Sequence, residues 1–317
     1  MTAQPAAVTM TVMARDPVVG WLLAGDVSVQ FRTTRDLLHQ DGSHLQNRIA
    51  DEGDGATILA ARHPDGHWGD GFYSPKWTST HYTLLELRDL GLAPTHPDCR
   101  ESVSIVLRDH RNDDGGLHPN RSSPSDACVN GMALNYASYF GAGEDELGSM
   151  VDFLLGGLLP DGGFNCRSRR EEVQHSSLHT TLSVVEGITS YHRAGHTYRS
   201  DELLAAQEAS VEFLLRHRLF RSERTGRVIR PEFTRLHHPT RWYYDILRCL
   251  DWMADAGISA DPRMDDALDV LTNRRGPDDR WPVNRSYPGV THLPPPVAGT
   301  PNRWVTLRAL RVLAAYT

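Results

Sequence analysis

Aromatic and cationic side chains concentrate in three short segments of this chain. The segments are Lys76-Trp77-Thr78-Ser79-Thr80-His81-Tyr82, Arg241-Trp242-Tyr243-Tyr244-Asp245 and Pro301-Asn302-Arg303-Trp304. Lys76, Arg241 and Arg303 could bind an anionic group such as a diphosphate or a carboxylate. The aromatic rings could line an apolar cavity and, through their π faces, stabilise a cation.

The residues of these segments divide into two predicted roles. Arg241, Tyr243 and Asp245 are the predicted catalytic residues: the guanidinium holds the anionic head group, and the other two carry protons. The predicted substrate contacts are Lys76, Trp77, His81, Tyr82, Trp242, Tyr244, Arg303 and Trp304. A structural interpretation competes with this one, because Trp and Tyr commonly fill protein interiors and the arginines could pair with Asp245. Recurrence of the pattern in three segments favours function.

A short turn motif recurs along the chain and indicates an internal repeat. Its copies are Asp65-Gly66-His67-Trp68, Asp114-Gly115-Gly116-Leu117, Asp161-Gly162-Gly163-Phe164 and Asp278-Asp279-Arg280-Trp281, with a degenerate copy at Thr225-Gly226-Arg227-Val228. Repeats with a period of roughly 50 residues are units that bury a core by stacking on their neighbours.

Apolar residues at helical spacing follow each turn and predict a layer of inner helices. Six are predicted, at 28–39, 79–90, 128–140, 178–192, 241–255 and 303–315. More charged segments predict outer partners at 17–24, 44–62, 98–110, 144–157, 201–218 and 262–274. The prediction is an all-α fold in which six helix pairs close into an α/α toroid, with an open superhelix as the alternative. Parallel inner helices would bring the three segments to one mouth of the ring, where helix N-termini add positive potential.

These repeats resemble those of the prenyltransferase and squalene-cyclase repeat family, whose members are α/α toroids with an apolar central cavity. The Asp-Gly-Gly-Phe and Asp-Gly-His-Trp turns are similar to the family's Gly- and Trp-containing motifs, without the Gln of the cyclase version. The resemblance implies prenyl transfer or cyclisation of a terpenoid or prenylated small molecule. The Asp-x-Asp-Asp motif of class II terpene cyclases is absent, and Asp265-Asp266 lies in a predicted outer helix.

The protein prenyltransferase branch of this family binds zinc through an Asp-x-Cys pair that opens an inner helix and a His that opens a later one. Asp126, Cys128 and His179 match that pattern, so the resemblance implies zinc at these residues, with Cys166 and His175 as alternates. Carboxylate, thiolate and imidazole all bind zinc, and three protein ligands leave a position open for substrate. A buried thiol, an N-cap and a core histidine are the ordinary structural alternatives.

Composition restricts the remaining possibilities. A net charge of −7 with scattered basic residues argues against nucleic acid, and four cysteines without a Cys-x-x-Cys pair predict reduced thiols. No phosphate-binding loop, Rossmann fingerprint or nucleophile elbow is present in the sequence. We expect a flexible tail at 1–15, one toroid domain at 16–317, no membrane span and a cytoplasmic protein. The alternatives to a zinc enzyme are a metal-free cyclase and a silent toroid that binds a lipid or a partner protein.

Overall fold

The computed structural model describes residues 16–119, 124–168, 171 and 173–317, so the predicted tail at 1–15 lies outside the described residues. In chain order the α-helices are α1 (Pro17–Leu23), α2 (Val27–Arg32), α3 (Ser43–Gln46), α4 (Gly53–Ala60), α5 (Thr80–Leu90), α6 (Pro97–Asp109), α7 (Ala127–Tyr139), α8 (Glu144–Leu155), α9 (Leu178–Arg193), α10 (Ser200–Arg216), α11 (Ile246–Asp255), α12 (Asp265–Thr272) and α13 (Arg303–Tyr316). A π-helical turn, Thr33–Leu37, extends α2, and 3-10 turns lie at Pro231–Thr234 and Pro262–Met264. Across these ranges β structure is limited to three isolated bridges, so the fold is all-α.

Six inner helices form a closed ring. Helix α2 packs against α5, α5 against α7, α7 against α9, and α11 against α13, while α13 returns to the π turn after α2. Helices α9 and α11 are joined by an ion pair between Glu186 and Arg248 (2.6 Å) and a hydrogen bond from Trp252 to Thr189 (3.0 Å). The outer layer consists of α1, α3 with α4, α6, α8, α10 and α12. The predicted α/α toroid is therefore confirmed, and the open superhelix is excluded.

The recurrent turn fastens each inner helix to its neighbours. The fourth residue of the turn donates its backbone N–H to a Thr or Asn side chain near the helix start, as in Trp68 to Thr80, Leu117 to Asn130, Phe164 to Thr181 and Trp281 to Thr306, at 2.7–3.0 Å. Both tryptophans also donate their indole N–H to a carbonyl of the preceding outer helix, at 2.8 Å. The motif thus links outer helix, turn and inner helix, which explains why it repeats.

Helices α7 and α9 approach each other more closely than side chains would normally allow. A Cβ at Gly187 would lie 2.4 Å from the carbonyl oxygen of Gly131, and a Cβ at Gly131 would lie 2.6 Å from the carbonyl oxygen of Ser183. Two glycines facing each other therefore permit backbone contact at this place in the ring.

Two helix boundaries differ from the prediction. Helix α11 begins at Ile246, because Asp245 is extended and caps the helix by accepting the N–H of Arg248, and because Arg241 adopts a left-handed φ of 57°. The predicted outer helix at 44–62 is divided into α3 and α4 before Gly53, whose φ of 62° interrupts the helix. No helix in the described part of the chain has the length and apolarity needed to cross a membrane.

Candidate active site

A charged chamber of about 550 Å³ occupies the centre of the ring. All six inner helices contribute to its wall, which we call the arginine chamber. Its ionisable residues are Arg32, Arg35, Asp36, Arg88, Asp89, Glu186, Arg193, Arg241, Arg248, Asp251, Asp255, Arg308 and Arg311. Eight arginines face five carboxylates in this wall, and Glu86, which lies outside it, pairs with Arg241, so two positive charges remain in excess (8 − 6 = 2). The resemblance implied an apolar central cavity, so the charge of this chamber corrects that expectation.

The carboxylates of the arginine chamber are held by ion pairs of unequal strength. Burial would raise the pKa of Asp36, but Arg32, Arg35 and Arg311 outweigh it and lower that pKa to about 2. Burial raises the pKa of Asp251 in spite of Arg311, whose Nη1 lies 3.1 Å from Oδ1. The chamber therefore combines fixed arginine cations with one carboxyl group that is biased toward its neutral form.

A second, aromatic-lined space adjoins the arginine chamber on the side of the inner-helix N-termini. We call it the aromatic chamber; it has a main volume of about 200 Å³ and a narrow extension of about 30 Å³. Its wall includes Asp54, Trp77, Tyr82, His238, Tyr287 and Trp304. Arg241 lines both chambers, donates to Glu86 and places its guanidinium 5.8 Å from the centroid of the Trp77 ring.

Asp54 lines the aromatic chamber together with two other carboxyl groups, Asp89 and Glu86, the second of which pairs with Arg241. Asp54 lies in the first turn of α4, and its backbone N–H donates to Asp26 at 3.0 Å. Burial, together with the negative charges of Asp26 and Glu86, raises the pKa of Asp54 to about 6. A partly protonated acid therefore faces aromatic rings, the combination that general acid catalysis requires.

His238 lies across the same chamber and is the complementary basic group. Its ring stacks on Trp304 with centroids 5.3 Å apart, and its buried Nδ1 has no hydrogen-bond partner among the described residues. Burial, with the positive charges of Arg308 and Arg241, holds the pKa of His238 well below its usual range. The lowered pKa favours the neutral imidazole, which is a weaker base than an exposed histidine.

Most predicted substrate contacts cluster around the aromatic chamber or its mouth. Trp77 and Tyr82 are buried and meet edge to face with centroids 4.8 Å apart. Trp242 stacks on Tyr243 (4.0 Å), which in turn stacks on Tyr287 (3.4 Å). The structure therefore brings together Lys76, Trp77, Tyr82, Trp242, Tyr243 and Trp304, and their contact with a substrate stays a prediction.

Four predicted site residues occupy structural positions instead. Tyr244 is fully buried and donates its hydroxyl to the carbonyl of Leu219, and Asp245 caps α11. His81 is also fully buried; its Nδ1 lies 3.3 Å from the hydroxyl of Tyr136. The hydroxyl of Tyr244 and the carboxylate of Asp245 are thus directed to partners within the fold, whereas Nε2 of His81 is buried without a hydrogen-bond partner among the described residues.

Arg303 also departs from its predicted place at the cavity. Its Nε donates to the carbonyl of Trp21 at 3.1 Å, and the guanidinium lies 4.6 Å from that indole ring. The side chain thus joins α13 to α1 where the ring closes. The large group of cations is instead in the arginine chamber, toward the C-terminal ends of the inner helices, and not at the mouth where it was predicted.

The residues predicted to bind zinc form a pair of thiols and a separate histidine. Cys166 Sγ accepts the N–H of Cys128 at 3.1 Å and the hydroxyl of Thr180 at 3.4 Å. A hydrogen bond from the thiol of Cys128 lowers the pKa of Cys166. Burial raises that pKa by a smaller amount, so the net shift is downward.

His179 has its own partners. Its Nδ1 accepts the N–H of Tyr244 at 2.8 Å, and burial lowers its pKa to about 4. The carbonyl of His175, the other alternate, accepts from the side chain of Asn165. In the described part of the chain, no three His, Cys, Asp or Glu residues are grouped so that they could hold a metal ion. The predicted triad with Asp126 therefore lacks the geometry of a zinc centre, and zinc binding stays a prediction.

Two features of the site were missed in the sequence. Asp54 lies in an outer helix, where an acidic residue in the first turn is expected for helix stability alone. The arginines of the central chamber come from different repeats and form no local motif. One sequence match lies away from the site. The Asp-Asp-x-x-Asp spacing of class I prenyl enzymes is matched by Asp265, Asp266 and Asp269, but these residues lie on the outer helix α12. Asp266 pairs there with Arg221 at 2.6 Å.

Comparison with known proteins gives matches among solved structures alone. No protein-family model and no curated protein matches the chain. The apo form of the type II terpene cyclase MstE from Scytonema is 17% identical over 71% of this chain and 79% of its own, with a TM-score of 0.31. A variant of MstE in complex with geranylgeranyl dihydroxybenzoate is 14% identical over 81% of this chain and 93% of its own, with a TM-score of 0.31. Another variant of MstE, in complex with merosterolic acid A, is 14% identical over 82% of this chain and 94% of its own, with a TM-score of 0.30. The toroid itself is established by the helix contacts above, and the terpene cyclase MstE is the protein that these similarities name.

Proposed function

We propose that this protein is a terpenoid cyclase-like enzyme that acts on an apolar, isoprenoid-type molecule with an anionic head group. The observation that carries the proposal is the placement of Asp54, a carboxyl group with a pKa of about 6, in the wall of the aromatic chamber. In this proposal the reaction begins when Asp54 gives its proton to a double bond or an epoxide of the substrate.

The two chambers support a division of labour in binding. The arginine chamber, with its excess of positive charge, would hold a diphosphate or carboxylate. The aromatic chamber would hold the apolar chain, and the faces of Trp77, Tyr82 and Trp304 would stabilise a carbocation formed there. Arg241 lies where the two chambers meet and would fix how far the apolar chain of the ligand extends into the aromatic chamber.

The reaction would end with the return of a proton to the protein. Loss of a proton from the carbocation gives a neutral alkene, and the neutral His238 is placed to accept it through Nδ1. Proton gain and proton loss balance, so the overall change is an isomerisation. Zinc has no assigned step in this scheme.

The acid is tested with a pair of variants. Asp54→Asn keeps the shape of the side chain and removes the proton, whereas Asp201→Asn changes an exposed acid in the equivalent first turn of α10. The enzymes are incubated with farnesyl and geranylgeranyl diphosphates and with geranylgeranyl-substituted benzoates, and the products are identified by mass spectrometry. We expect Asp54→Asn to lose about 100-fold or more in turnover and to keep its affinity for the substrate, with Asp201→Asn unchanged.

Two outcomes would contradict the proposal in different ways. Wild-type turnover by Asp54→Asn would remove the acid from the mechanism. Binding of these compounds by the wild type without any product would instead favour the silent toroid that binds a lipid. The metal content of the wild type and of Cys128→Ala tests zinc separately: about one zinc per chain, lost in the variant, would support the predicted site.

A further inference from the structure

A single, exposed lysine amine precedes Trp77, which lines the aromatic chamber. Lys76 is the one lysine of the chain, since the other 32 of its 33 lysine and arginine residues are arginine. Arginine supplies the same positive charge, but its guanidinium does not lose a proton in proteins and is not a nucleophile. Lysine differs from arginine in that its amine can form a covalent bond with a carbonyl group.

The surroundings of this amine are aromatic. Nζ of Lys76 lies 5.4 Å from the ring centroid of Tyr73, 5.7 Å from that of Trp77 and 5.8 Å from that of Trp242. Within the described ranges no carboxylate forms an ion pair with it. Most arginines of the central ring have such a partner, so Lys76 stands apart in its environment as well as in its residue type.

From this we infer that Lys76 forms an imine with the carbonyl group of an apolar aldehyde or ketone at the chamber mouth. The rings suit both partners of this reaction. Their faces attract the ammonium form before reaction and the protonated imine afterwards, because both are cations. Their apolar surface accepts the carbon chain that the carbonyl compound carries. A cyclase that begins with proton transfer has no need of an amine, so this inference is independent of the proposed function.

The backbone that carries the amine is fixed by the loop that precedes α13. The carbonyl of Lys76 accepts the N–H of Val290 at 2.8 Å, and the N–H of Trp77 donates to the carbonyl of Val290 at 2.6 Å. The Trp77 indole donates to Pro288 at 3.0 Å. A Cβ at Gly289 would lie 2.6 Å from the Lys76 carbonyl oxygen, so the loop approaches this closely because residue 289 is a glycine. A fixed backbone positions the amine for attack.

The covalent step balances without a further reactant. The ammonium releases a proton to water, and the free amine attacks the carbonyl carbon to form a C–N bond. The resulting carbinolamine then loses its hydroxyl group as water, which leaves a C=N bond. The bond is reversible, and Trp77 lies in the chamber wall beside it, so a tethered chain would extend toward the aromatic chamber.

Reductive trapping tests this assignment in the full-length protein. Farnesal is added with cyanoborohydride, whose hydride reduces the imine carbon and makes the adduct permanent. Peptide mass spectrometry should then find the mass of the aldehyde less one oxygen atom on the peptide that contains Lys76. The Lys76→Arg variant keeps the charge and removes the amine, and it should lose this adduct while it remains folded.

A second lysine supplies the internal standard. Arg108→Lys introduces an amine at a position where the side chain is 67% exposed, in the same chain as Lys76. We expect farnesal to label Lys76 at least about ten-fold faster than the introduced amine, and the ratio to fall in Trp242→Ala. With butanal, which lacks the apolar chain, the advantage should shrink. Equal labelling of the two lysines by farnesal would overturn the inference, whatever the result of the cyclisation assays.

Discussion

Replacement of Asp54 by Asn should stabilise the protein, and the size of the effect should depend on pH. The folded protein holds the carboxyl proton up to about pH 6, whereas an unfolded chain releases it near the ordinary aspartate pKa of 3.8. Between these values the folded state binds more protons than the unfolded state, so the stability of the wild type falls as pH rises through this window and stays lower above it. Asparagine has no proton to lose and escapes this cost.

The magnitude follows from the two pKa values. A difference between 3.8 and about 6 corresponds to about 3 kcal/mol for a fully shielded carboxylate. Because the side chain is partly exposed, screening by water reduces the cost to about 1–2 kcal/mol. For a chain of this size we expect the melting temperature of Asp54→Asn to exceed that of the wild type by about 2–4 °C at pH 8.

Thermal unfolding followed by circular dichroism at pH 4.5, 6 and 8 measures this difference. The gap between Asp54→Asn and the wild type should be largest at pH 8 and about one third as large at pH 4.5, and Asp201→Asn should show no such trend. A gap that is independent of pH, or a variant less stable than the wild type at pH 8, would refute the account of Asp54. A gain in stability joined to a loss of turnover is the pattern expected of a catalytic acid.

Three further predictions concern activity, packing and thiol chemistry. Wild-type turnover should fall as pH rises through about 6, because the acid form of Asp54 is lost, and a pH–rate profile that rises there would contradict its role as an acid. Gly187→Ala should cost about 1–3 kcal/mol in urea unfolding, since its Cβ meets the α7 backbone at 2.4 Å, whereas Gly148→Ala in α8, with 3.7 Å of space, should be neutral or stabilising. Iodoacetamide should alkylate Cys166 before the two fully buried cysteines, because its pKa is lowered and theirs are raised by burial; peptide mapping that finds a buried cysteine labelled first would contradict this.

The fold was predictable because its signals are local and repeated. Each copy of the turn motif carries its own anchor, and helical periodicity in the following segment identifies an inner helix without knowledge of the rest. The count of six pairs allowed a closed ring, but an open superhelix stayed as the alternative. The start of α11 was not, because the aromatic run from Arg241 continues the helical pattern while Asp245 has the extended backbone of an N-cap.

The candidate site was predictable only in part, because it depends on which way each side chain points. Tyr243 and Tyr244 are adjacent, yet one ring stacks at the chamber mouth and the other fills the core. Residue type and sequence spacing therefore cannot tell which of the two tyrosines lines the chamber and which fills the core. Asp54 acquires its raised pKa from burial and from two carboxylates that are distant in sequence, which no short motif records.

The position of the arginines decides how a bound molecule would be oriented. Helix C-termini carry partial negative charge, and Arg32, Arg88 and Arg193 lie in the last turns of three inner helices, so part of their charge compensates the helix dipoles. Arginines still outnumber carboxylates in this wall, so its net positive charge comes from side chains and not from helix N-termini. An anionic head group should therefore lie toward the C-terminal ends of the inner helices, with its apolar chain directed back past Arg241 to Asp54. This orientation brings the far end of the chain, and not the head group, to the acid, as a reaction that begins by protonation of a terminal double bond requires.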